Sequence, residues 1–147
     1  MSVNAAQTIT KTAPASVTMT TRRLLELLEH AGATVFAVID QAAAARTAGQ
    51  ELRDTILVLF GNPAAGTPVM DAHPLAALDL PLRILLWDDN GSTRVSYLDP
   101  AALGERYGVE AALLEKLAVI HKLSDTLVAG ADAGGAAGGA AGGSSAG

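Results

Sequence analysis

Cysteine is absent from the sequence, and its absence excludes disulfide bonds, thiolate catalysis and cysteine-ligated zinc or iron–sulfur clusters. Basic charge is also scarce, because 10 lysines and arginines stand against 15 acidic residues, for a formal net charge of -5. Without a basic patch, the electrostatic attraction that underlies DNA and RNA binding is missing, so nucleic acid is not an expected partner. Aromatic residues make up 3% of the chain, which leaves the core to aliphatic side chains.

Long hydrophobic runs are missing as well, since no run approaches the roughly 20 apolar residues that a membrane-spanning helix requires. The first residues, MSVNAAQTITKTAPAS, lack the basic start and apolar centre of a signal peptide. We therefore expect a cytoplasmic protein with no membrane partner. The 147 residues predict one domain over 16–129, after a flexible leader over 1–15. The glycine-, alanine- and serine-rich segment 130–147 is expected to be a disordered tail.

The apolar pattern predicts an alternation of strands and helices. SVTM is interpreted as a short strand, and TRRLLELLEHAG as an amphipathic helix. TVFAVID and TILVLF are apolar throughout, as is typical of strands covered on both faces. LRILLWDD and TRVSYLD flank Asn90-Gly91, which predicts a tight hairpin, and a long amphipathic helix follows later. The order indicates an α+β fold with a mainly antiparallel sheet of about five strands packed against helices.

The segment GNPAAGTP, residues 61–68, follows an apolar strand and has the glycine spacing of a phosphate-binding P-loop. Thr67 stands where the P-loop lysine belongs and Pro68 where its hydroxyl residue belongs, which excludes nucleotide hydrolysis of that class. Two interpretations stay open. The loop amides could bind an anion ahead of a helix, or Asn62 could simply shape a strand-to-helix turn.

Aspartates fall at the ends of the predicted strands, and the candidate catalytic pair among them is Asp79 and Asp88. Two carboxylates within about 5 Å of each other could act as general acid and base or hold a divalent ion. The alternative is that each aspartate caps a helix or stabilises a turn. The three histidines have no partner at metal-ligand spacing, so no metal site is predicted and any cofactor is unknown.

FGNPAAGTPVM, LDLPLRILLWDDNG and VSYLDP together resemble the DUF302 family, over about residues 16–109. The resemblance implies a β-α-β(4)-α-type arrangement, related to the TATA-binding-protein-like fold and often seen as a dimer, with no established reaction. DNA binding does not follow for a chain this acidic. Gln41 stands where many relatives carry histidine, which weakens any metal or haem ligand there. The residues that match the family's loop, strand entry and hairpin are Asn62, Pro63, Gly66, Thr67, Met70, Asp79, Leu80, Pro81, Arg83, Trp87, Asp88, Tyr97, Asp99 and Pro100.

The leading functional hypothesis is a domain that binds a small, anionic molecule without catalysis. The loop at 61–67 and polar residues at neighbouring strand ends would form the pocket, and Arg83 would supply a charge-assisted hydrogen bond. One alternative is a metal- or carboxylate-dependent enzyme that uses Asp79 and Asp88. Another is a structural or regulatory homodimer joined through an apolar strip near 70–80. The predicted ligand-binding residues are Asn62, Gly66, Thr67, Arg83 and Tyr97.

Overall fold

The computed structural model describes residues 7–129. The strands, numbered in chain order, are β1 (Thr8–Ala13), β2 (Thr34–Asp40), β3 (Thr55–Gly61), β4 (Leu82–Asp89) and β5 (Ser92–Leu98). The α-helices are α1 (Val17–His30), α2 (Gln41–Thr47), α3 (Pro63–Ala72), α4 (Ala101–Tyr107), α5 (Ala111–Leu117) and α6 (Val119–Ala129). A 3-10 helix over Pro74–Asp79 lies between α3 and β4. The expected tail at 130–147 lies outside the described residues.

The strands form one antiparallel sheet with the order β1-β5-β4-β3-β2. A tight hairpin joins β4 to β5, and its central residues Asn90 and Gly91 have φ angles of 53° and 95°. Positive φ at both central residues is what a type I′ turn requires, and the twist of that turn matches the twist of its strands. The hairpin and the expected α+β fold with a five-stranded antiparallel sheet are both confirmed.

β1 lies in the part of the chain where the sequence predicts a flexible leader. Its residues pair with β5 along the whole strand, from Thr8 opposite Leu98 to Ala13 opposite Thr93. The expected strand over SVTM is a helix start instead, because the Ser16 side chain accepts a hydrogen bond from the backbone N–H of Met19 in the first turn of α1. The structured domain therefore begins before residue 16. The polar sequence TITKTA did not indicate this strand, whose partner β5 is the last strand along the chain.

β2 is an edge strand, although its apolar sequence predicts a strand covered on both faces. Within the described part of the chain it pairs only with β3, and Phe36 and Val38 are 55% and 48% exposed. An apolar run indicates burial only where neighbouring strands and helices surround it. Among residues 7–129, one side of this edge strand has no such neighbour and its side chains stay exposed, so the predicted coverage of β2 is wrong.

The core lies between the sheet and the helices that pack on one of its faces. Leu24 and Leu28 of α1, Ile84 of β4 and Ile120 of α6 are each 1% exposed or less. The expected closing helix is interrupted at Ala118, which separates α5 from α6. This interruption borders the larger of the two cavities described below.

Candidate functional site

The turn after β3 is a capped helix start. Asn62 caps α3, because its Oδ1 accepts a hydrogen bond from the backbone N–H of Ala64 at 3.0 Å, and Pro63 takes the first helical position. The Asn62 carbonyl oxygen accepts hydrogen bonds from the N–H groups of Ala65 and Gly66 at 2.8 and 3.0 Å. Since these three amides already have acceptors, they are not free to hold a phosphate. The geometry favours the simple-turn interpretation of this loop over the anion cradle.

Beside this turn lies a cavity of about 330 Å³, called the larger cavity here. It is open to solvent on one side and is bordered by the ends of α1 and β3, the start of α3 and the residues on both sides of the α5–α6 break. None of its lining side chains is a carboxylate, an imidazole or a hydroxyl. An apolar space of this size is typical of sites for small apolar ligands. Its large lining side chains include Leu28, Phe36, Phe60, Met70, Leu82 and Leu123.

Two polar side chains, those of Asn62 and Lys116, also line the larger cavity. Asn62 uses its Oδ1 as the helix cap, and its Nδ2 donates no hydrogen bond to any of residues 7–129. Lys116 stands in the last turn of α5, is exposed, and forms no ion pair with a described residue. The larger cavity therefore has an apolar lining with two hydrogen-bond donors that have no acceptor among residues 7–129.

The smaller cavity, of about 200 Å³, contains three charged side chains. Arg106 Nη1 and the Tyr107 hydroxyl donate hydrogen bonds to the same oxygen, Oδ2 of Asp79, at 2.8 and 2.7 Å. Arg83 also lines this cavity, but it makes no hydrogen bond to residues 7–129. Asp79 is thus held by two donors, while the Arg83 guanidinium adds a second positive charge nearby.

These contacts stabilise the charged form of Asp79. Partial burial acts to raise the pKa of Asp79, but the hydrogen bonds from Tyr107 and Arg106 and the charges of Arg106 and Arg83 outweigh it. The pKa of Asp79 is therefore held below its usual value. A carboxylate with this environment is a poor proton donor near neutral pH, and its bonds tie the 3-10 helix to α4.

The predicted ligand-binding residues do not come together in one pocket. Asn62 and Gly66 line the larger cavity, Arg83 lines the smaller one, and the exposed Thr67 lines neither. The physical reason lies in β4, where successive side chains point to opposite faces of the sheet. Leu82 is buried and lines both cavities, whereas the next residue, Arg83, is half-buried at the alternate position of β4 and lines only the smaller one. Within residues 7–129, no hydrogen bond joins the Asn62 side chain to the Arg83 guanidinium, and the two residues line different cavities.

Tyr97 belongs to a polar cluster between the sheet and α6. It is 3% exposed, and its hydroxyl lies 2.8 Å from Nδ1 of His121. Lys11 of β1 lies over the Tyr97 ring, 5.3 Å from its centroid, and bonds Asp125 at 2.7 Å. Burial lowers the pKa of Lys11, but its bonds and charge interactions with Asp125 and Tyr97 outweigh this and raise it. Tyr97 thus helps to fasten β1 to α6, and it lines neither cavity.

The candidate catalytic pair is also separated. Asp79 precedes β4, whereas Asp88 stands near its far end and accepts a hydrogen bond from the backbone N–H of Gly91 at 3.2 Å. The intervening strand spans roughly 20 Å at about 3.3 Å per residue, so the two carboxylates cannot share a metal ion or a substrate. Among residues 7–129, no group of three or more histidines and carboxylates is arranged to hold a metal ion.

The sequence pattern does not identify Lys116 or Arg106 as residues that line a cavity. Lys116 is the only basic residue in VEAALLEKLAV, and nothing in that pattern distinguishes a lysine beside a cavity from one in solvent. Arg106 lies in LGERYG after the hairpin, and its contact with Asp79 joins segments far apart in the chain. Both positions depend on how the helices pack, which is not a local property of the sequence.

The fold and cavities define an α+β domain with one antiparallel sheet, a helical layer and an apolar cavity at the end of its central strands. Comparison with known proteins gives this class a name. The family model described as "Domain of unknown function DUF302" matches residues 9–127, and the chain belongs to that family.

A solved relative has the same fold. The crystal structure of an uncharacterized conserved DUF302 protein from Bacillus stearothermophilus superposes with a TM-score of 0.70. It is 21% identical in sequence, and the match covers 83% of this chain and 95% of that one.

The chain is also similar to proteins named as fluoride-specific ion channels. It is 38% identical over 95 residues to FluC 1 of Brucella suis and to FluC 1 of Brucella abortus. The matched segment is 64% of this chain but only 37% and 35% of those proteins, so the chain corresponds to about a third of their length. In residues 7–129, no helix is long and apolar enough to cross a membrane.

Proposed function

We propose that this domain binds a small, largely apolar molecule in the larger cavity and catalyses no reaction on it. The observation that carries the proposal is the cavity itself. Its volume of about 330 Å³ falls within the range of about 300–1,000 Å³ that is usual for ligand sites. It is also about twice the size of a 150 Å³ apolar cavity that is known to bind benzene.

The composition of the lining supports binding over catalysis. The lining has no carboxylate, imidazole or hydroxyl side chain to act as a general acid or base. Leu28 and Phe60, which are 1% and 2% exposed, offer a rigid apolar wall, whereas Met70 has the flexibility to adapt to a ligand's shape. Arg83, in the smaller cavity, is not part of this proposal.

A leucine in place of Ala65 tests the proposal, because Ala65 is partly buried and lines the cavity. The matched control is Ala64→Leu, at an exposed position of the same turn of α3 that does not line the cavity. We expect decanol to raise the Tm of the wild type and of Ala64→Leu, but not of Ala65→Leu. A ligand at 100 times its Kd stabilises a protein by about 2.7 kcal/mol, which a thermal-shift assay detects easily. No shift in the wild type, or equal shifts in both variants, would contradict the proposal.

A second candidate function is a structural or regulatory homodimer. Leu75 and Leu78 of the 3-10 helix are 69% and 72% exposed, within the apolar strip near 70–80. Large apolar side chains with this much exposed surface, lying close together, are typical of protein contacts. The similarity to part of longer proteins named as ion channels also supports a regulatory domain within a larger assembly.

Light scattering of the wild type, of Leu75→Glu and of Met19→Glu would test the dimer. Met19 is a suitable control because it is 51% exposed on α1, outside the apolar strip. We expect the wild type and Met19→Glu to have twice the chain mass of 14.9 kDa, and Leu75→Glu to have the mass of one chain. A monomeric wild type would rule this candidate out.

A further inference from the structure

The geometry points to an amphipathic carboxylate as the ligand of the larger cavity: an acyl chain of about ten carbons that ends in one carboxylate. This inference rests on the proposed function and adds to it the chemical class of the ligand. Three properties of the cavity support it, namely its size, the flexibility of its wall, and the charge at its edge.

Size limits the ligand to about twelve non-hydrogen atoms, because the larger cavity is about twice as large as one that accepts the six carbons of benzene. Decanoate has this number of atoms. A longer chain would have to extend into solvent, and a metabolite of two or three carbons would leave most of the wall without contacts.

The wall suits a flexible chain better than a polar ring system. Most of its large side chains are aliphatic, and the unbranched side chain of Met70 can adapt its shape at little cost. A sugar or nucleotide base would lose hydrogen bonds to water on entering, and the lining has few polar groups to replace them. An acyl chain makes no hydrogen bonds to water, so it loses none when it enters the cavity.

The charge at the edge indicates the head group. Lys116 is the one charged side chain of the lining, and it has no acidic partner within residues 7–129. Its ammonium and the Nδ2 group of Asn62 both donate hydrogen bonds, so together they complement a carboxylate. A cationic head group would be repelled, and a neutral one would leave the lysine without a partner. The guanidinium of Arg83 does not compete for this head group, since it lines the smaller cavity.

Titration calorimetry with decanoate below its micelle-forming concentration, and with decanol below its solubility limit, tests the assignment. The variants are Lys116→Gln and, as a matched control, Lys122→Gln, another exposed lysine that lines neither cavity. Because Lys116 is exposed, we expect Lys116→Gln to weaken decanoate binding by about fivefold, the upper range for an exposed ion pair. Decanol should bind the wild type and both variants equally, and Lys122→Gln should bind both ligands as the wild type does.

The decanol measurement distinguishes a wrong head-group assignment from a wrong proposed function. If decanol binds normally and Lys116→Gln keeps its full affinity for decanoate, the head-group assignment is wrong and the proposed function stands. An equal loss of both ligands in Lys116→Gln would also overturn it, since that result indicates a disturbed cavity. If the wild type binds neither ligand, both the proposed function and this inference are wrong.

Discussion

Filling the larger cavity is expected to stabilise the domain in the absence of any ligand. Ala65→Leu adds three carbon atoms to a side chain that borders this space. Complete burial of three such groups contributes about 2.4 kcal/mol, at about 0.8 kcal/mol each. Ala65 is only partly buried, so we expect about half of that, roughly 1.2 kcal/mol, in the free energy of unfolding.

Urea denaturation and calorimetry measure this gain directly. For a domain of this size, about 1.2 kcal/mol corresponds to a rise in Tm of about 5 °C. The urea midpoint should increase while the slope of the transition stays the same, because the surface exposed on unfolding barely changes. The control Ala64→Leu lies on the exposed side of α3, and its free energy of unfolding should stay within about 0.5 kcal/mol of the wild type.

A loss of stability would refute the reasoning. If Ala65→Leu unfolded more easily than the wild type by about 1 kcal/mol or more, the added atoms would be overpacked and the cavity would not accept a side chain from α3. An equal increase in the free energy of unfolding in both variants would also contradict the cavity-filling explanation, since the effect would then come from the helix surface. The expected result, a more stable protein that has lost decanol binding, would mean that the domain gives up stability to keep its binding space.

Three further predictions concern single contacts. Asn62→Ala removes the side-chain cap of α3 and should lower the free energy of unfolding in urea by about 1 kcal/mol, whereas Asn62→Asp should retain it. The depressed pKa of Asp79 adds stability that is present above the unfolded value of 3.8 and is lost as pH falls through the folded value. Tyr107→Phe should therefore reduce the stability difference between pH 6 and pH 2.5, and an unchanged difference would refute this. The raised pKa of Lys11 adds stability below 10.5 that is lost as pH rises through the folded value, so Lys11→Met should flatten the alkaline limb of a thermal pH profile.

Features that depend on residues adjacent in the sequence were predictable from it. Asn90-Gly91 has the positive φ angles that its composition requires, and Asn62-Pro63 starts a helix as capping chemistry dictates. The apolar β3 and β4 segments indicated strands for the same reason, and they place the turn at residues 61–68 beside a cavity.

Features that depend on contacts between segments far apart in the sequence were not predictable in this way. The alternation in LRILLW shows that Leu82 and Arg83 face opposite sides, but only the packing of helices decides which side meets the Asn62 turn. β1 is polar and would not form a strand without β5 beside it. Lys116 borders the larger cavity because α5 and α6 separate at Ala118, and the heptad-like leucine pattern there continues without a visible break.

The outer edge of β2 bears on how the protein behaves at high concentration. In the part of the chain that is described, its outer backbone N–H and C=O groups face no partner strand, and TVFAVID contains neither proline nor lysine to hinder pairing. An extended peptide with alternating apolar side chains could therefore join the sheet as a sixth strand, by β-augmentation. The same edge is a ready template for aggregation, and a single lysine at Val38 should make concentrated samples easier to keep monodisperse.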